Sequence, residues 1–169
     1  MNKLQDKETK EKAKTIKILY RVELKEGESA TEKCVGCSLC EMACSLYHHR
    51  ECNPSLSGIK VIKKECEWIN GSSSKIFQLK ICTQCGFCIQ FCPVDAIRIA
   101  VETGAVVIDD KKCSGCLKCI RACPFDALWY NKREDKIIMV KCDLCDGSSD
   151  GPKCTGWCPK GVLTLRKIK

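Results

Sequence analysis

The stretches CTQCGFCIQFCPVDAIRI (82–99) and CSGCLKCIRACPFDALWY (113–130) are two copies of one pattern. Each reads C-x2-C-x2-C-x3-C, then proline, then a short apolar run. Cys34, Cys37, Cys40 and Cys44 repeat the spacing without the proline. Cys142, Cys145, Cys154 and Cys158 form a looser fourth copy, with eight residues between its halves. Sixteen of the 18 cysteines are thereby accounted for. This spacing is a ligand pattern for a [4Fe–4S] cluster. Three cysteines on a tight loop reach three irons of one cube. The fourth is expected to start a helix pointing away and to ligate a different cube.

Crossed ligation gives Cys82, Cys85, Cys88 and Cys123 to one cluster, and Cys113, Cys116, Cys119 and Cys92 to a second. By the same logic Cys34, Cys37 and Cys40 go with Cys158, and Cys142, Cys145 and Cys154 with Cys44. Four [4Fe–4S] clusters in so short a chain imply an electron wire. Gly36, Gly86 and Gly115 lie inside the cysteine loops. They suit both a tight turn and a close approach of backbone N–H groups to sulfur. Val35, Leu39, Phe87, Ile89, Leu117 and Ile120 are expected to shield the clusters from water.

The repeat decides the fold class, α+β: tandem bacterial ferredoxin-like units of two clusters each, one inserted in the other. The inner unit spans 76–135. The outer unit is split into 31–75 and 136–169, and residues 1–30 form a basic arm and a first strand. Strands are expected at 15–22, 58–63, 75–81, 105–110, 136–141 and 162–168, where β-branched residues concentrate. Hairpin turns are expected at Glu102–Gly104 and Asn131–Asp135, and a loop between the halves at Asn70–Ser74.

The 169 residues are few for a self-sufficient core, so metal should supply much of the folding energy. Two other uses of cysteine fit less well. A disulfide scaffold suits a secreted chain, and the charged N-terminus, MNKLQDKETKEKAKTIK, has no apolar leader. A structural zinc site pairs two C-x2-C knuckles and leaves no use for the further cysteines. The formal net charge is +8, from 29 basic and 21 acidic residues. Four oxidised clusters at about −2 each, ligands included, would offset it. The basic excess therefore balances cofactors and does not point to nucleic acid. No run approaches the ~20 apolar residues that span a bilayer. A cytoplasmic chain without direct membrane insertion is expected. Neither a nucleotide-binding loop nor a catalytic triad pattern is present, so the chain reads as non-catalytic by itself.

Cys52 and Cys66 stand outside the motifs and read as buried or idle thiols. His48 and His49 follow Cys44 at helical spacing but read as packed or surface residues. Trp68, Trp129 and Trp157 read as packing residues, with Trp157 close to a cluster.

The four-motif layout, over residues 31–165, resembles the four-cluster subunits of molybdenum or tungsten pterin enzymes and of some hydrogenases. The segment CVGCSLCEMACSLYHHRECNPSLSGIKV (34–61) is similar to the small electron-transfer subunit of tungsten-containing aldehyde ferredoxin oxidoreductases. That resemblance implies a large tungstopterin partner carrying its own [4Fe–4S] cluster, with ferredoxin or a similar acceptor at the other end. The alternatives are the same module in a molybdenum formate dehydrogenase or hydrogenase complex, and a free polyferredoxin shuttle.

Overall fold

The β-branched runs fold as four antiparallel pairs. The computed structural model describes residues 19–27, 30–67, 69–134 and 136–168. β1 (Tyr20–Leu24) pairs with β8 (Leu163–Lys167), joining the two ends of the described chain. β2 (Ile59–Glu67) and β3 (Ser73–Ile81) form a long hairpin, with Ile59 opposite Ile81. β4 (Ile97–Ile99) pairs with β5 (Val106–Ile108), and β6 (Leu128–Arg133) with β7 (Lys136–Lys141). Between them lie short helices: α1 (Ala30–Lys33), α2 (Leu39–His49), α3 (Phe87–Gln90), α4 (Lys118–Ala122) and α5 (Lys153–Gly156). The result is a small fold of mixed helix and strand.

Several expectations shift. The predicted strand at 15–22 appears at 20–24, while residues 15–18 and the basic arm lie outside the described residues. Ser73 and Ser74 belong to β3, so 70–74 is the end of a hairpin turn running into a strand. Asn131 to Arg133 are paired strand residues for the same reason, because cross-strand bonding continues to Arg133 opposite Lys136. The divisions at 75/76 and 135/136 both fall within hairpins, β2–β3 and β6–β7.

Only α2 is long. It buries Cys40, Ala43 and Cys44, spaced to share one side of a helix. Arg50 ends it in a left-handed conformation, φ 59°, its N–H bonded to Leu46 O. The Asn-Pro-Ser-Leu-Ser segment then turns the chain into β2. Asn53 N donates to Ser45 Oγ at 3.0 Å, and Asn53 Oδ1 accepts from Ser55 N at 3.0 Å. Leu56 and Ser57 are buried at the end of this turn. Trp129 Nε1 donates to Ser57 O at 2.8 Å, which ties β6 to the segment and agrees with a packing role.

Two apolar cores result. One gathers Val22, Ile59, Val107, Val162 and Leu163 with Cys40, Cys44 and Cys154. The other gathers Ile97, Val106, Leu128 and Met139 with Cys88 and Cys119. Strand alternation sends Val106 to one core and its neighbour Val107 to the other, so β5 is the shared wall. Cysteines are structural members of both.

Gly58 sits where β2 meets the end of β7. A Cβ there would stand 2.8 Å from Cys142 N and 2.9 Å from Cys142 Cα, neither of which can swing aside. Gly58→Ala should cost about 1–3 kcal/mol, read as a lower melting temperature of the metal-loaded protein. Gly156→Ala, where a Cβ meets nothing within 4 Å, should leave it unchanged or raised.

Candidate metal centres

The cysteine loops share one backbone shape, whatever residues build it. Two left-handed residues occur in each of the first three: Gly36 and Ser38, Gln84 and Gly86, Gly115 and Leu117. Leu144 takes the corresponding first position in the fourth loop, with φ 60°. Glycine adopts this shape freely, but Ser38, Gln84, Leu117 and Leu144 do so at a cost of about 1–3 kcal/mol each. Such strain persists when the surroundings enforce it. A later turn repeats as well: Asp95, Asp126 and Gly161, each three residues after a Cys-Pro cysteine, all have positive φ.

Burial repeats with the shape. The second cysteine of each of the first three loops, Cys37, Cys85 and Cys116, is exposed, whereas the third, Cys40, Cys88 and Cys119, is buried on a helix. The fourth cysteines sit differently from expectation. Cys92, Cys123 and Cys158 follow short helices instead of opening them, and Cys44 lies inside α2. The proline after the first three cannot extend a helix, so the chain turns at once toward the next strand.

Four cavities have walls containing four cysteines each. Cys34, Cys37, Cys40 and Cys158 line one of about 350 Å³. Cys92, Cys113, Cys116 and Cys119 line a second of about 320 Å³. Cys82, Cys85, Cys88 and Cys123 line a third of about 290 Å³. Cys44, Cys142, Cys145 and Cys154 line a fourth of about 320 Å³. The remaining walls are mostly apolar: Val61, Leu79 and Leu163 in the first, Ile97, Ile108 and Met139 in the second, for example.

Burial holds the protons on several of these thiols. Burial, aided by Glu41, pushes Cys40 up to about 12, and burial pushes Cys88 up to about 11. Burial also drives Cys142 and Cys154 well up, and neighbouring cysteines add to it. Four thiolates facing one small space need positive charge among them, which a metal group supplies. Backbone donors already point at the sulfurs. Ala96 N donates to Cys92 Sγ at 3.2 Å and Ala127 N to Cys123 Sγ at 3.5 Å, equivalent bonds in the two repeats. Gly58 N donates to Cys44 Sγ at 3.2 Å, Gln84 N to Cys82 Sγ at 3.4 Å and Lys153 N to Cys145 Sγ at 3.4 Å. Thr83 Oγ1, in the Cys82 cavity, is buried and has no partner among the described residues. An acceptor inside that cavity would satisfy it, and cluster sulfur is one. The residues therefore fit a [4Fe–4S] group.

His48 does more than pack. Its Nε2 lies 3.2 Å from Asp143 Oδ1, and it lines the Cys44 cavity. Burial alone would lower its proton affinity. Hydrogen bonds to Asp143, Cys145 and Cys44 instead raise it well above the usual range. Burial works to raise Cys44, but His48 and the Gly58 N–H outweigh it and the thiol is lowered. The signal was the four-residue spacing from Cys44, which puts both on one helix face. His49 lines neither this cavity nor the other three with cysteine walls.

Cys52 is exposed and Cys66 partly buried in β2, so neither is a core residue; both are free thiols and neither lines these cavities. Trp68 lies outside the described residues. Val35, Phe87 and Trp157 are about half exposed, at 52%, 43% and 48%. Val35 and Phe87 thus rim their cavities while facing solvent, which is less cover than expected. Ile89, Leu117 and Ile120 pack against the second core. Among the described residues no helix is long and apolar enough to cross a membrane.

Comparison with known proteins supports iron–sulfur binding. Residues 74–124 match the model of the 4Fe-4S dicluster domain, and residues 31–47 that of a 4Fe-4S binding domain. The chain is 36% identical to the Escherichia coli K12 protein named "Putative electron transport protein YsaA", over 81% of this chain and 86% of that one. It is 35% identical to the polyferredoxin-like subunit of the aliphatic sulfonate oxidoreductase of Pyrococcus furiosus, over 81% of this chain and 73% of that one. It is 32% identical to the electron transport protein HydN of Escherichia coli K12, over 78% and 81%. The chain belongs to the 4Fe-4S ferredoxin-like family of electron transport proteins.

Proposed function

We propose that this chain is the electron-transfer subunit of a tungstopterin aldehyde-type oxidoreductase. It passes electrons through four [4Fe–4S] clusters between a large catalytic subunit and ferredoxin or another acceptor. One observation carries the relay: each of the four cavities is walled by three cysteines of one motif and one of another. The Cys82 and Cys113 motifs exchange their fourth cysteines, Cys123 and Cys92. The first and fourth motifs likewise exchange Cys158 and Cys44. This exchange supports two ferredoxin-like units, one inserted in the other. The inner unit is taken as 76–135, with the β2–β3 and β6–β7 hairpins at its two ends.

When bound, such clusters supply one-electron storage at low potential. The chain's own residues do the rest. Thiolates hold the group, backbone N–H donors stabilise charge on sulfur, and the apolar walls keep water away. At the surface, Phe87, Phe91, Val94 and Phe125 rim the two inner cavities and are 42–49% exposed. Apolar rims beside redox centres suit a protein partner, and favour a docked subunit over a free carrier. The tungsten assignment draws on the 34–61 segment. The Pyrococcus relative, itself named as the subunit of an oxidoreductase, supports a catalytic partner. We place the complex in the cytoplasm.

Cys158→Ala tests the exchange. It should make one outer centre labile, with iron falling by about a quarter, while the inner centres keep their spectra. Loss of an inner centre alone would contradict the pairing. The partner is tested by purifying the native complex without air and measuring its metals. Tungsten in a large co-purifying subunit is expected. Molybdenum or nickel would move the chain to a formate dehydrogenase or hydrogenase complex, and iron on a lone small protein would make it a free polyferredoxin.

A further inference from the structure

Lys141 ends β7 and precedes Cys142, so it stands where an inner centre meets an outer one. Its ammonium donates to Val106 O at 2.6 Å, Cys142 O at 2.6 Å and Gln84 Oε1 at 3.3 Å. The last acceptor is itself fixed. Gln84 is 1% exposed, its Nε2 donates to Cys142 O at 2.8 Å, and its Oε1 accepts from Val106 N at 2.9 Å. All three acceptors are neutral. No carboxylate among the described residues pairs with Lys141. The side chain lines the Cys82 cavity, and its charge acts on both Cys88 and Cys142.

We propose that Lys141 is a positioning residue for electron transfer: with the Thr83 hydroxyl, its fixed charge makes the centre on Cys82, Cys85, Cys88 and Cys123 the most readily reduced of the four. This rests on the four-centre reading above. Accepting an electron adds one negative charge to a quartet whose Cys82 and Cys88 are buried, and a nearby cation offsets that cost far more there than in water. The step needs only the electron, delivered from a neighbouring centre; no proton is required because the ammonium is already present. A hydroxyl donor acts in the same direction.

The other three cavities lack this combination. Lys160 lines the Cys34 cavity but is exposed, so water and salt screen it. His48 lines the Cys44 cavity but is paired with Asp143. The walls of the Cys92 cavity include no charged side chain besides the thiols. The same Lys141 contacts bind Gln84 of the inner loop to the carbonyl of Cys142 beside the outer centre. The electron would thus gather at the junction of the two units.

The test is a redox titration of the intact protein followed by electron paramagnetic resonance, with iron counted alongside. The signal of this centre is identified as the one lost in Cys123→Ala. Lys141→Met keeps the aliphatic stem and removes the charge. With iron unchanged, it should lower the reduced-to-oxidised ratio of that signal about tenfold at fixed potential, a shift of about 59 mV for a one-electron couple. Thr83→Val should shift the same signal in the same direction by less, and Lys141→Arg should restore most of the wild-type ratio. Four centres intact with that signal unmoved, or a shift confined to another signal, would overturn the proposal. Should Lys141→Met lose iron, Thr83→Val decides: an unmoved signal overturns it. Fewer than four centres in the wild-type protein would instead defeat the underlying four-centre reading.

Discussion

Thiols gathered four to a small cavity cannot all ionise unless positive charge sits among them. The rest of the structure follows from that constraint. The two cores are built partly from the cysteines themselves, with Cys40, Cys44 and Cys154 in one and Cys88 and Cys119 in the other. The apolar side chains around them are few, and the strand pairs are short. A bound metal group would then supply much of the folding energy and would brace the strained left-handed turns at Gln84, Leu117 and Leu144.

The two cores are not independent bodies. β5 faces one with Val106 and the other with Val107. Gln84, from an inner cysteine loop, bonds both β5 and the carbonyl of Cys142. Trp129 reaches from β6 to Ser57, at the turn that follows α2. These ties join the elements around one core to those around the other. Such ties would fix the separation between the centres proposed above, on which transfer between them would depend.

Much of this was legible in the sequence. Cysteine spacing and repetition marked the loops and their shared shape, because a tight C-x2-C-x2-C loop has little choice of shape. β7 was readable from KIIMVK because β-branched residues dominate it. The full extent of the hairpins was not, because repeat comparison marks similar loops and says nothing of the strands that join them. The helix expected after each fourth cysteine was also misplaced. Proline after Cys92, Cys123 and Cys158 is a local signal for a turn, and it outweighed the image of a helix leaving the cluster. Lys141, Thr83 and Gln84 carried no signal at all. Thr83 and Gln84 fill variable positions of a cysteine loop and Lys141 lies outside the motifs, and the contacts that give them a role join residues as far apart as Gln84 and Lys141, which only the folded chain brings together. His48 lay between, with a helical spacing that was visible and a partner, Asp143, that was not.

The central claim is that every cysteine quartet holds a cubane. It is tested most directly by counting iron and acid-labile sulfide in the anaerobically purified chain. The account predicts about sixteen of each per chain, four for every quartet. A count near eight would leave half of the quartets without clusters. Zinc without sulfide would contradict the account outright.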